Sequence, residues 1–214
     1  MKLISVNIGK EQAIHNGKPS GKTGIHKQPV DGPVMLSRLG ISEDSVCDKK
    51  HHGGPDQAVY LYGEPDYAWW SGQLGDRLSP GTFGDNLTVE GLESARLQIG
   101  DSLRIGAAVL QVTAPRIPCG TLAARMGDPQ FVKRFRAAER PGVYCRVLQE
   151  GIVQAGDPVT LERFSGETIS VLDMFRDFYD PDMDENALRR YLAAPIAGRA
   201  RVDKEEQLQK LLAQ

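Results

Sequence analysis

Residues 110–119, LQVTAPRIPC, place a lone cysteine at the tip of a rigid segment. A thiolate is a nucleophile and a soft metal ligand, and both roles favour backbone with few alternative conformations, because ordering a mobile loop costs entropy. Pro115 and Pro118 fix φ and remove two backbone donors, so the chain between them forms a stiff turn instead of continuing a ladder. Arg116, three residues before Cys119, lowers a neighbouring thiol pKa or holds an anion. Taken alone, an isolated cysteine is more commonly a half-buried filler of a core gap. A second group of chemical residues lies in 49–60, KKHHGGPDQAVY. The Gly53-Gly54-Pro55 bend brings backbone close to something, and His52 and Asp56 flank it as titratable groups fit for proton traffic. His51 and His52 are adjacent and point to opposite faces of extended chain, and Cys47 with His51 is a weak pair, so zinc is not expected.

The elements that must hold these residues follow from periodicity. Ala108, Leu110 and Val112 alternate with Val109, Gln111 and Thr113, the pattern of a strand with one buried face leading into Cys119. Ile4, Val6 and Ile8 read as one apolar face of an opening strand, too short and too alternating for a leader. Residues 16–24, NGKPSGKTG, form a turn-rich basic loop in which Asn16-Gly17 favours a hairpin and Ser20, Lys22 and Thr23 offer donors to a phosphate. The spaced glycines and following helix of a phosphate loop are lacking there, so a solvated loop is the simpler reading. Asp66 to Trp70 reads as a short helix whose aromatics serve packing, and Asp85 and Asn86 sit in a glycine-bounded turn. Gly100-Asp101 and Gly156-Asp157 each precede a short strand, a weak internal echo. Asp128 and Pro129 open a helix with Phe131, Val132 and Phe135 on its stripe. Cys145 alternates with Tyr144 and Arg146 in another strand and reads as core filler.

From about Thr168 the texture becomes helical. Val171, Met174, Phe175 and Phe178 follow a Ser170 cap, Asp184 opens a second helix that Pro195 stops, and Asp203 with Glu206 makes a capping pair for a third. The expected organisation is a β domain over 1–164 and a three-helix extension over 168–214.

Composition limits the function. With 214 residues, 40% hydrophobic and 25% charged, the chain buries a core without staples. A net charge of −2 argues against a nucleic-acid polymer as partner. Three scattered cysteines and no apolar run of about 20 residues point to a reducing cytoplasm and no membrane.

Residues 49–60, 83–92 (FGDNLTVEGL), 100–106 (GDSLRIG) and 110–119, in this order and spacing, resemble MOSC-domain proteins of the YiiM type, and the C-terminal helices resemble the extension that follows the domain there. The resemblance implies a mainly β, barrel-type fold that binds molybdenum cofactor, a pterin dithiolene carrying molybdenum. The family's invariant cysteine falls on Cys119, which would be the thiolate ligand to the metal. Arg116, His52, Gly53 and the turn of Phe83, Gly84, Asp85 and Asn86 match motifs that line the pocket. Lys18, Ser20 and Lys22 fall where a basic loop would hold the pterin phosphate. Gly120 and Thr121 depart from the aromatic residue and lysine usual after the cysteine, and 41–47 lacks the glycine-rich form, which bears on substrate preference. The implied activity is a molybdenum-dependent reductase of N-hydroxylated compounds, including hydroxylaminopurine bases and hydroxylamines, with Cys119, His52 and Asp56 as the reacting set and a separate reductase as electron donor. Two other readings stay open: a sulfur carrier through a Cys119 persulfide, as the relationship to the C-terminal domain of molybdenum cofactor sulfurase implies, and a non-catalytic cofactor-binding module. Pyridoxal phosphate belongs to the desulfurase partner in that relationship and is not expected here.

Overall fold

The computed structural model describes residues 1–15, 21–49 and 52–213. Its axis is strand β10 (Ala108–Pro115), in which Ala108, Leu110 and Val112 are buried and Val109 and Gln111 half-exposed. From Thr113 onward both faces are covered, so the strand enters the interior as it approaches Cys119. It pairs antiparallel with β9 (Ser102–Ile105) on one side and β11 (Val143–Gln149) on the other. Beyond β9 lies β13 (Val159–Glu162); beyond β11 the order runs through β7 (Val59–Gly63), β8 (Leu87–Val89), β1 (Leu3–Ile8) and β4 (Gln28–Val30). The β7–β8 pair is parallel, as a crossover through helix α1 (Glu64–Leu74) requires. A small sheet of β5 (Val34–Ser37), β6 (Gly40–Ile41) and β12 (Gly151–Val153) and a hairpin of β2 (Gln12–Ala13) with β3 (Lys22–Thr23) flank it.

The closed, mainly β barrel expected from the sequence gives way to an open mixed sheet. Its edges are β13 and β4. Lys2 bridges Pro158, and backbone hydrogen bonds join Leu3 to Asp157 and Val159 to Met1, so the start of β1 reaches the β13 edge. Strand β4 pairs with β1 from Val6 to Ile8, leaving only the first residues of β1 to meet β13. Six α-helices among the described residues also outweigh a mainly β description. The opening strand differs as well. A register shift between Leu3 and Ser5 against β8 turns Ile4 outward, 40% exposed, while Leu3 takes the buried place.

The echo at Gly100-Asp101 and Gly156-Asp157 is physical. Both glycines have positive φ, both aspartates accept a backbone N–H from three residues earlier, and the strands they open, β9 and β13, pair with each other.

Two cores result. One fills the inside of the sheet, with Leu3, Leu61, Leu103, Leu110 and Cys145 fully buried. The other is an aromatic layer in which Trp70 of α1 lies 5.0 Å from Phe131 and 5.9 Å from Phe135, ring to ring, with Phe83 and Tyr62 beside them. Rings of this size bury about 150–250 Å² each, so this layer is a firm backing for whatever rests on it. Phe131 and Phe135 belong to α3 (Phe131–Ala138), which starts two residues later than read: Asp128 accepts the N–H groups of Gln130 and Phe131 ahead of the helix proper. Between Cys119 and α3 stands α2 (Gly120–Met126), which the sequence did not announce.

The C-terminal segment docks on this body. Ser170 caps α4 (Val171–Asp177) by accepting the Asp173 N–H, and Asp184 caps α5 (Glu185–Ala193) by accepting that of Ala187, both as read. The third helix, α6 (Gly198–Leu212), starts five residues before the expected Asp203. Its starting residue is satisfied from far away in the chain: the Gly198 N–H donates to Asp56 Oδ2 at 2.7 Å. No helix of the described residues is long and apolar enough to cross a membrane.

Candidate functional site

Cys119 leaves the end of β10 in extended backbone (φ −132°, ψ 169°), and its carbonyl accepts the Leu122 N–H at the start of α2. The two prolines hold this path. Facing it, His52 stands on the bend formed by Gly53 and Gly54, whose φ of 73° and 84° lie in the left-handed region that glycine tolerates. His52 Nδ1 lies 3.0 Å from the Tyr144 hydroxyl on β11. Tyr144 was not singled out from the sequence as a site residue. The available signal was alternation: Cys145 faces the inner core, so Tyr144 faces the other way.

Arg116 is 4% exposed. Its Nη1 donates to the Phe83 carbonyl, its guanidinium lies 4.9 Å from the Tyr60 ring centre, and its Nε has no partner among the described residues. Burial opposes its charge, while the Tyr144 and Tyr60 oxygens and Cys119 favour it, and the balance raises its pKa. Burial likewise opposes ionisation of Cys119. A hydrogen bond from His52, the charge of Arg116 and the Leu122 N–H outweigh it and bring the thiol down to about 5. Cys119 is therefore a thiolate at neutral pH. The other two cysteines move the opposite way: burial and the neighbouring Glu11 carboxylate raise Cys47, and burial raises Cys145. Cys145 is fully buried, as a core filler is.

These groups surround an open-mouthed hollow of about 100 Å³, room for an anionic group or the metal end of a longer ligand reaching out through its mouth. Lys22, Lys27, His52, Gly53, Gly84, Asn86, Arg116 and Cys119 all line it. Lys22 also pairs with Glu11 at 2.7 Å. Lys27 forms a buried ion pair with Asp44, whose carboxylate also accepts from the Asn86 amide at 2.9 Å and the Gly9 N–H at 2.8 Å. Burial pushes the Lys27 pKa down and Asp44 opposes that shift.

The remaining sequence-derived residues are placed elsewhere. Phe83 is fully buried in the aromatic layer and reaches the site only through its carbonyl to Arg116. Asp85 lies beneath the hollow, accepting hydrogen bonds from Tyr67 at 2.6 Å and Thr88 at 2.7 Å, with burial raising its carboxyl pKa. Asp56 is not among the residues that line this hollow. Its carboxylate pairs with Arg146 at 3.0 Å and holds the start of α6, a structural task. Lys18 and Ser20 lie outside the described residues. Gln57, which carries an unpartnered buried Oε1, and Lys27 are further lining residues that sequence reasoning passed over.

A MOSC-domain family model matches residues 48–160, the stretch that holds His52, Arg116, Cys119 and Tyr144. The chain belongs to the MOSC-domain family. The YflK protein of Bacillus subtilis, itself uncharacterized, is 37% identical over 191 residues, covering 89% of this MOSC protein and 86% of that one. The YiiM protein of Escherichia coli is 34% identical over 171 residues, 78% and 75% of the two chains. A protein of Gibberella moniliformis named reductase is 30% identical over 200 residues, which are 91% of this chain and 35% of the longer relative. The crystal structure of YiiM from Geobacillus stearothermophilus superposes with a TM-score of 0.79 at 27% identity, covering 97% and 98% of the chains.

MOSC domains are associated with molybdenum cofactor, and the residues present fit such a group. One soft sulfur donor, ionised and reachable, faces a hollow carrying cationic side chains. Three buried polar atoms among its lining residues, Arg116 Nε, Thr121 Oγ1 and Gln57 Oε1, have no partner among the described residues. Unpaired buried groups of this kind are costly unless something binds them.

Proposed function

We propose that the protein is a molybdenum cofactor-dependent reductase of N-hydroxylated compounds, hydroxylaminopurine bases and hydroxylamines among them, with Cys119 as the protein's ligand to the metal. The observation that carries this reading is a thiol brought down to about 5 beside a buried arginine, at a hollow with unsatisfied polar atoms. A cysteine serving only as filler would be raised by burial, as Cys145 is.

When bound, the cofactor would supply two-electron redox chemistry. The chain does the rest. Arg116 and Lys22 offer positive charge to an anionic ligand; the family resemblance assigns Lys18 and Ser20, outside the described residues, a share in holding the pterin phosphate. Reduction of R–NHOH to R–NH2 takes up two electrons and two protons and releases water. The His52 imidazole, in contact with both Cys119 and the Tyr144 hydroxyl, is the group placed to pass a proton to the reacting face. Electrons come from a separate electron-donating reductase. The relative named reductase, of which this chain matches about a third, supports reduction as the reaction class.

The test is turnover of a hydroxylamine by cofactor-loaded protein with an artificial electron donor, on wild type and Cys119→Ser. The variant is expected to lose activity and molybdenum together. Full activity with full molybdenum in Cys119→Ser eliminates the proposal. A low-pKa cysteine is equally suited to carry a persulfide, and intact mass spectrometry showing one added sulfur on Cys119 would favour the carrier reading instead.

A further inference from the structure

Four consecutive residues at the junction of α5 and α6 reach into the segments that carry the site. The Ile196 carbonyl accepts from Arg146 Nη2 on β11 at 2.9 Å, and the Ala197 N–H donates to the Thr113 carbonyl on β10 at 3.1 Å. The Gly198 N–H donates to Asp56 Oδ2 at 2.7 Å, and Arg199 Nη2 donates to the Lys49 carbonyl at 2.9 Å. Strand β10 leads to Arg116 and Cys119, β11 carries Tyr144, and Lys49 and Asp56 lie on either side of His52 in the chain. We propose that Arg199 is a positioning residue: by holding the Lys49 carbonyl it fixes the bend that presents His52 to Cys119 and Tyr144, which makes the C-terminal extension part of the site. The catalytic consequence rests on the reductase reading above; the placement of His52 does not.

The bend needs holding from outside. Gly53 and Gly54 give it the widest backbone freedom of any residue type, so a histidine beside them keeps one position only if both ends of the bend are tied down. The Asp56 end is tied to the sheet, because Thr113 Oγ1 donates to the Asp56 carbonyl. The Lys49 end is met by Arg199. An exposed arginine generally gains little from one carbonyl, since ordering its long side chain costs entropy. Two features offset that here. Ile196 and Ala197 are buried and bonded to the strands, so α6 starts from a set point and Arg199 with it. Its guanidinium also lies against the bend, with Nη2 3.9 Å from where a Cβ on Gly54 would stand. One side chain therefore spans from Lys49 to Gly54, and His52 lies between them. The two contacts that α6 makes on this bend have different duties. The Asp56 carboxylate serves the helix, and Arg199 serves the bend.

The test compares Arg199→Ala and Arg199→Lys with a control, Arg189→Ala, which removes an exposed arginine paired with Glu185 of its own helix. The first measurements are NMR on cofactor-free protein. The His52 and Gln57 amides donate to the Asp48 and Gly54 carbonyls within the bend, and in Arg199→Ala their hydrogen exchange should quicken by roughly tenfold. The His52 imidazole signals should shift in the same variant, while exchange along α6 and the urea midpoint stay as in wild type. Arg199→Lys should restore both readouts, because one carbonyl needs one donor. On cofactor-loaded protein, Arg199→Ala should lower kcat for hydroxylamine by roughly tenfold with KM little changed. Unchanged exchange and unchanged His52 signals in Arg199→Ala overturn the proposal. So does quickened exchange confined to α6, or a loosened bend that Arg189→Ala reproduces. Loaded Arg199→Ala that keeps full kcat despite a displaced His52 overturns the positioning role. Loaded wild type that reduces no hydroxylamine overturns the reductase reading instead, and the exchange and imidazole readouts, which need no cofactor, then decide whether Arg199 holds His52.

Discussion

Replacing His52 by alanine should raise the ionisation midpoint of Cys119, and the structure gives the expected size. The thiol titrates at about 5 against 9.0 for an unperturbed group, so at pH 7 about 99% is thiolate where an ordinary cysteine would be about 1% ionised. Burial works against this. The hydrogen bond from His52 is the largest favourable contribution, and Arg116 follows. Removing the imidazole leaves Arg116 in place and should lift the midpoint by about 1–3 units, the usual effect of one strong partner. The assay is thiolate absorbance near 240 nm, or the rate of alkylation by iodoacetamide, from pH 4 to 9 on the cofactor-free protein. Cys47 and Cys145 titrate above Cys119, because burial raises both beyond the ordinary value. The sign for stability follows. A thiol whose folded pKa lies below its unfolded one binds fewer protons in the folded state, so this contribution is complete above about pH 9, declines as pH falls, and is gone below about pH 5. Cys119→Ser should abolish that slope in urea unfolding. A wild-type midpoint at 8 or above, or a His52→Ala protein still titrating at 5, refutes the reasoning.

Other perturbations separate structure from chemistry. Asp56→Ala removes the Arg146 ion pair and the acceptor at Gly198, and should cost about 1–2 kcal/mol in urea unfolding while leaving the Cys119 midpoint unchanged; a shifted midpoint would return Asp56 to the reacting set. Gly84→Ala forces a Cβ onto a residue at φ +75°, 2.9 Å from Ile25 and 3.3 Å from Arg116 Nη1, and should cost about 1–3 kcal/mol and raise the Cys119 midpoint by displacing the arginine. Trp70→Ala empties the centre of the aromatic layer and should destabilise by about 3–5 kcal/mol in thermal or urea unfolding, against a near-neutral result if the layer were loosely built.

The centre of the site was legible because it is local. Two prolines and an arginine around one cysteine, and a double glycine after a histidine, state rigidity and chemistry within a few residues of each other, and the structure brings Cys119, Arg116 and His52 together. Residues whose role depends on distant chain were not legible in the same way. Asp56 looked like a proton carrier beside a bend, but its partners, Arg146 and Gly198, are 90 and 142 residues away. The same carboxylate explains why α6 was started too late: its acceptor is supplied from outside the helix, so the local Asp203 and Glu206 pattern was the only cap to be read. Tyr144 and Gln57 gave a face and a turn, with nothing to say what stood opposite. The sheet stayed open because β4 takes the edge of β1 that a closed barrel would need, a competition between partners that alternation does not reveal.

The most direct test of the central claim is X-ray absorption at the molybdenum edge on cofactor-loaded protein. Wild type should show one sulfur neighbour more than the cofactor's own dithiolene pair, and Cys119→Ser, loaded in parallel, should lack it. The same sulfur count in both proteins would contradict the assignment of Cys119 as the ligand.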